Sequence, residues 1–139
     1  MSRFVLDASV VLAWCFPDEN NALPSRVADL FKHGHAVVVP SFWPHEVLNG
    51  LLAGERRKRI SFGLTQSFLQ DLAMMPIELQ ILPTPDVFAR IQSLSRQHAL
   101  TPYDAAYLDL ALDRNLHLAT LDEALIRACK KEKVKLFTA

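Results

Sequence analysis

The chain has 139 residues, half of them hydrophobic and 22% charged, which fits one globular domain with a core of its own and no disordered segment. Its 15 Lys and Arg balance 15 Asp and Glu, and the formal net charge of zero excludes a protein that coats nucleic acid by bulk charge. Cys15 and Cys129 are too few for a secreted disulfide scaffold and read as buried thiols, no apolar run reaches the ~20 residues of a membrane helix, and Asp7 interrupts the only early apolar run, so a reducing cytoplasm is the expected compartment.

In chain order, Arg3 to Leu6 reads as a short apolar strand ending at Asp7. Ala8 to Phe16 suits a buried helix, and Pro17 to Asn21 a turn. Ala22 to His33 has the spacing of an amphipathic helix, with Val27, Leu30 and Phe31 on one face and Gly34 as its stop. Ala36 to Val39 is a β-branched run closed by Pro40, hence a buried strand. Ser41 is a candidate cap for a helix carrying Val47, Leu48, Leu51 and Leu52, with Pro44 confined to its first turn. A helix follows from Phe62 to about Met74, and Ile77 to Ile81 alternates as a strand does. Pro83 and Pro85 open a helix to about His98. Thr101-Pro102 starts another to about Asp113, with Pro at its favoured position. His117 to Ala119 reads as a strand, Thr120 to Lys131 as a helix, and Lys135 to Phe137 as a last strand. Strands alternating with helices predict one α/β domain over residues 1–139, a parallel sheet covered on both faces. Ligands of such sheets bind beyond the carboxyl ends of the strands.

Four acids fall at or near that edge. Asp7 follows the first strand directly, although it or Ser9 would also serve as a helix cap. Asp104 lies three residues after Thr101, where a capping interaction competes with a functional one. Asp122 ends the strand of Ala119. A capping box of Thr120 and Glu123 would leave it free. Glu46 sits early in its helix and, alone, reads as a solvated residue. Gathering such carboxylates raises their pKa values unless a hard divalent cation offsets the repulsion. An ion of that kind suits phosphodiester hydrolysis.

The segments Phe4-Val5-Leu6-Asp7-Ala8-Ser9-Val10, Glu46-Val47-Leu48-Asn49, Thr101-Pro102-Tyr103-Asp104-Ala105-Ala106-Tyr107 and Leu118-Ala119-Thr120-Leu121-Asp122 resemble the PIN-domain family, and within it the VapC-type toxins of bacterial toxin–antitoxin pairs. The resemblance spans essentially the whole chain. It implies a three-layer α/β fold with a five-stranded parallel sheet between helices. It implies an acidic site for Mg²⁺ or Mn²⁺ and endoribonuclease activity on structured RNA such as transfer RNA. Asp7, Asp104 and Asp122 match the family's metal-binding aspartates and Glu46 its acidic helix position, while Ser9 and Thr120 match supporting polar positions. A homodimer and a small cognate antitoxin are implied as partners. His117 departs from the Pro often found there.

Asn49, one turn after Glu46, is a candidate support. Arg56-Arg57-Lys58-Arg59 is a candidate RNA or antitoxin contact whose competing reading is a solvated helix end, as for Lys130, Lys131, Lys133 and Lys135. His33 and His35 lack the further ligands of a soft-metal site. His45, Asp109 and Asp113 read as surface groups, and Trp14, Phe16, Phe42 and Trp43 as core or subunit contacts. The rival function is a catalytically inactive PIN-like module that binds RNA or protein.

Overall fold

Phe4, Val5 and Leu6 are consecutive, yet each is at most 1% exposed. Successive strand residues point to opposite faces, so both faces of this strand are covered. The structure, a computed structural model, describes residues 2–16, 21–80 and 85–137. In it β1 (Arg3–Leu6), α1 (Ala8–Cys15), α2 (Leu23–Lys32), β2 (Ala36–Val39), α3 (Trp43–Arg56), α4 (Phe62–Ala73), β3 (Ile77–Leu79), α5 (Pro85–His98), α6 (Pro102–Arg114), β4 (His117–Ala119) and α7 (Glu123–Lys131) follow one another. The expected turn at Pro17 to Asn20, and the expected roles of Ile81 and Pro83, lie outside the described residues.

The strands form one parallel sheet in the order β3-β2-β1-β4. The chain steps outward from β1 to β2 and β3, then crosses back to place β4 on β1's other side. The direction of winding therefore reverses between β1 and β4, the point where open parallel sheets form a crevice beyond the carboxyl ends. Asp7 follows β1 there and Thr120 follows β4.

The fifth strand is reduced to one bridge. Leu136 pairs with Leu118 in parallel. The Leu118 N–H donates to the Lys135 carbonyl at 2.9 Å, and the Phe137 N–H donates to the Leu118 carbonyl at 3.1 Å. β4 is three residues long, and its outer residues turn their polar groups toward β1. Only its middle residue faces outward, so one residue's bonds exhaust that edge.

Three local expectations change. Ser41 does not cap α3: Phe42 occupies that position, and the Trp43 N–H reaches the Pro40 carbonyl instead. α7 begins at Glu123 rather than Thr120. Asp109 is no surface group, being 3% exposed. It sits in a buried stretch of α6 running from Ala105 to Ala111. Arg90 of α5 closes on it with Nε 2.8 Å from Oδ1. A helix enclosed nearly all round has no solvent face for a charge, so a cation must meet it inside. Cys129 is buried, and burial pushes its thiol up to about 12. Among the described residues no helix is long and apolar enough to cross a membrane.

Candidate active site

Asp7 stands at the N-cap position of α1, but its side chain makes no capping bond. Its Oδ2 accepts from the Ser9 hydroxyl at 2.8 Å and from the Thr120 hydroxyl at 2.6 Å. Ser9 does not cap either: its oxygen accepts from the Leu121 N–H at 3.1 Å. Capping therefore accounts for neither Asp7 Oδ2 nor the Ser9 hydroxyl. Their polar groups are spent joining the end of β1 to the end of β4. Burial raises the Asp7 pKa most, the two hydroxyls oppose that rise, and the charge of Asp122 adds to it.

Asp122 is the N-cap of α7. Its Oδ2 accepts from the Leu125 N–H at 2.8 Å. The capping box expected of Thr120 and Glu123 is absent because the Thr120 hydroxyl is engaged by Asp7 and by the Asp122 N–H, 3.0 Å away.

Asp104 lies in the first turn of α6. Thr101 caps that helix by accepting the Asp104 N–H at 3.2 Å. Burial raises the pKa of the half-buried carboxyl, and Asp122 and Asp7 raise it further.

Glu46 is in the first turn of α3. The Trp43 indole N–H fastens that turn to the end of β1 by donating to the Leu6 carbonyl at 2.9 Å. Glu46 Oε1 accepts a short hydrogen bond from the Tyr107 hydroxyl. Burial raises its pKa, the tyrosine opposes that, and Asp7 and Asp104 raise it again. The Tyr107 hydroxyl is itself pushed far above its ordinary range by burial, with Asp7 and Glu46 adding.

Each acid thus feels at least one of the others, and no cation pairs with any of them among the described residues. No three His, Cys, Asp or Glu side chains among those residues stand close enough to chelate an ion directly. The acids are neighbours rather than a closed cage. Glu46 Oε2 and Asp122 Oδ1 accept no hydrogen bond from a described residue. No unpartnered side-chain oxygen among the described residues is sealed from solvent, so these two oxygens keep contact with solvent.

Other candidates divide. Asn49 is exposed and makes no hydrogen bond with described residues. Arg56, Arg57 and Lys58 are exposed at the end of α3. Arg59, also exposed, lies over the Phe16 ring at 4.7 Å and lines a cavity of about 460 Å³ shared with Ser9 and Leu121. His45 is exposed, and His33 and His35 bond to Asp29 and Ser2. Tyr107 has no role predicted from sequence, although it stands one turn after Asp104 and so shares its face. Trp43, read as core or subunit contact, is buried, but its bond to β1 had no local signal.

Residues 4–131 match the PIN domain family. The chain belongs to that family. It is 28% identical over 123 residues to Ribonuclease VapC3 of Pyrobaculum aerophilum, spanning 88% of this chain and 92% of that protein. The crystal structure of PAE2754 from the same organism superposes with a TM-score of 0.69 at 20% identity, over 91% of this PIN domain and 84% of that chain. FitAcB from Neisseria gonorrhoeae gives 0.63 at 17% identity, over 99% and 97%. VapBC2 from Rickettsia felis, solved bound to a DNA fragment from their promoter, gives 0.64 at 15%, over 99% and 98%. These structures share the fold, a parallel sheet flanked by helices.

Proposed function

We propose that this PIN domain is a divalent-metal-dependent endoribonuclease acting as the toxin of a toxin–antitoxin pair. The observation that carries the reading is the set of four acids at the β1–β4 crevice, mutually repelling, unpaired with any described cation, and with carboxylate oxygens left open. Hard oxygen donors of this kind fit Mg²⁺ or Mn²⁺. The absence of three ready ligands does not oppose the fit, because Mg²⁺ keeps several waters and needs only one or two direct carboxylates. Asp7, Asp104 and Asp122 would hold the ion, with Glu46 beside them. When bound, the ion supplies positive charge to a scissile phosphate and lowers the pKa of water.

The protein's own groups do the rest. Ser9 and Thr120 hold Asp7 by Oδ2. The Leu125 N–H holds Asp122 by its Oδ2. Arg59 lines a cavity with Ser9 and Leu121, which supports reading the run Arg56 to Arg59 as an RNA contact. The similarity to VapC3 supports ribonuclease activity, and the resemblance to VapC-type toxins supports a structured RNA substrate, a homodimer and a small antitoxin. A purely binding module would gain nothing from keeping four repelling acids together.

The test is cleavage of a folded transfer RNA transcript, a matched DNA and a phosphomonoester. RNA cleavage with Mg²⁺, abolished by EDTA and by Asp7→Asn, is the expected result. Undiminished cleavage in EDTA or by the variant overturns the proposal.

A further inference from the structure

The proposed chemistry leaves one buried polar group without a task. Tyr107 has no exposed surface, and its ring stands edge-on to Phe42 at 5.8 Å. Phenylalanine would fill that space without burying a hydroxyl. The hydroxyl has two partners from two other elements: it accepts the Ala8 N–H at 3.3 Å and donates to Glu46 Oε1. Ala8 adjoins Asp7, Glu46 belongs to α3, and Tyr107 itself lies one turn after Asp104 on α6. A single oxygen therefore joins the three segments that carry three of the four acids. It engages one Glu46 oxygen and leaves Oε2 open, since no unpartnered side-chain oxygen is sealed from solvent among the described residues.

We propose that Tyr107 is the positioning residue for Glu46, holding Oε1 so that Oε2 is the oxygen offered to the site's divalent cation. The inference rests on the metal-dependent reading above. A Glu side chain has three rotatable bonds, and without the tyrosine its carboxylate would sample orientations that face away from the other acids. Ligand-orienting partners of this kind carry about 10–100-fold in metal affinity or activity.

The experiment is Mn²⁺ titration calorimetry on the full chain, with circular dichroism in EDTA as a check on folding. Tyr107→Phe keeps the ring and removes the hydroxyl. It is expected to weaken Mn²⁺ binding by about 10-fold or more. Glu46→Gln is expected to weaken it at least as much. The double variant should lose far less than the product of the two single losses, because both changes act on the Glu46 carboxylate. Wild-type affinity in Tyr107→Phe, or independent losses that multiply in the double variant, overturns the role of Tyr107 while the metal site stands. A wild-type chain that binds no Mn²⁺ overturns the metal-dependent reading, and the inference with it. Should Tyr107→Phe fail to fold, Glu46→Asp reads the same contact by drawing the carboxylate back one methylene. A fall matching Glu46→Gln supports the proposal, and unchanged affinity overturns it.

Discussion

Two buried aspartates of this PIN domain sit in opposite circumstances. Asp109 is 3% exposed and Asp7 6%, so burial does not separate them. Asp109 is closed by the Arg90 guanidinium, a partner that both neutralises and occupies it. Among the described residues Asp7 is met by two hydroxyls and the Ser9 backbone, none of them a cation, and the charge of Asp122 raises rather than lowers its pKa. The first arrangement completes its own electrostatics and fastens α5 to α6. The second is left incomplete, to be relieved by a proton or by a bound cation. Uncompensated burial, rather than burial itself, is what singles out Asp7 as a candidate site residue.

The largest expected effect tests that contrast at one step of α6. Asp104→Asn removes a repelling charge from the open cluster, and RNA cleavage with Mg²⁺ should fall by roughly a hundredfold or more, with no loss of melting temperature in EDTA. Asp109→Asn, five residues on, should do the reverse: cleavage retained within about twofold of wild type, a size ordinary for a residue outside the site, and a lower melting temperature. Equal loss of cleavage in both would erase the distinction.

A smaller effect sharpens it. Thr120→Val removes one of the two hydroxyls on Asp7 Oδ2 and the acceptor of the Asp122 N–H. Cleavage should drop about 10–100-fold, and denaturant melts should show a cost of about 1–3 kcal/mol for the unmet polar groups. A variant that loses stability but cleaves normally would make Thr120 a structural residue only.

The smallest effect is a pH dependence in EDTA. The folded pKa values of Asp7, Asp104 and Glu46 are raised above the ordinary 3.8, 3.8 and 4.5. Between the ordinary and raised values the folded state holds more protons than the unfolded one, so these groups lose stability as pH rises through that window. Asp7→Asn should therefore melt higher than wild type at pH 7, with the gain shrinking as pH falls toward 4. A gain independent of pH would remove the electrostatic cause.

Much of this was readable in the sequence because its signals are local. Four short strands and seven helices fall close to their expected positions, and parallel alternation placed Asp7 and Asp122 at the ligand edge. What was not readable depends on residues far apart in the chain. Thr120 looked like a cap for its own helix until Asp7, 113 residues away, took its hydroxyl. The Tyr107 hydroxyl has its meaning only from Glu46, 61 residues back. Asp109 was misread as a surface group because an acid on a helix usually is one. Its burial follows from α5 lying over α6, which the helix's own periodicity does not report. The fifth strand shrank to a bridge because β4 is too short to offer a second outward residue.

The proposed metal-dependent chemistry requires a divalent cation between the acids of the β1–β4 crevice. Anomalous diffraction from crystals soaked in Mn²⁺ tests it most directly. The expected result is a manganese peak within ligand distance, about 2.0–2.6 Å, of Asp7 and of at least one of Asp104 and Asp122, lost in Asp7→Asn. A crevice without manganese in crystals of protein that cleaves RNA in the same buffer would contradict it.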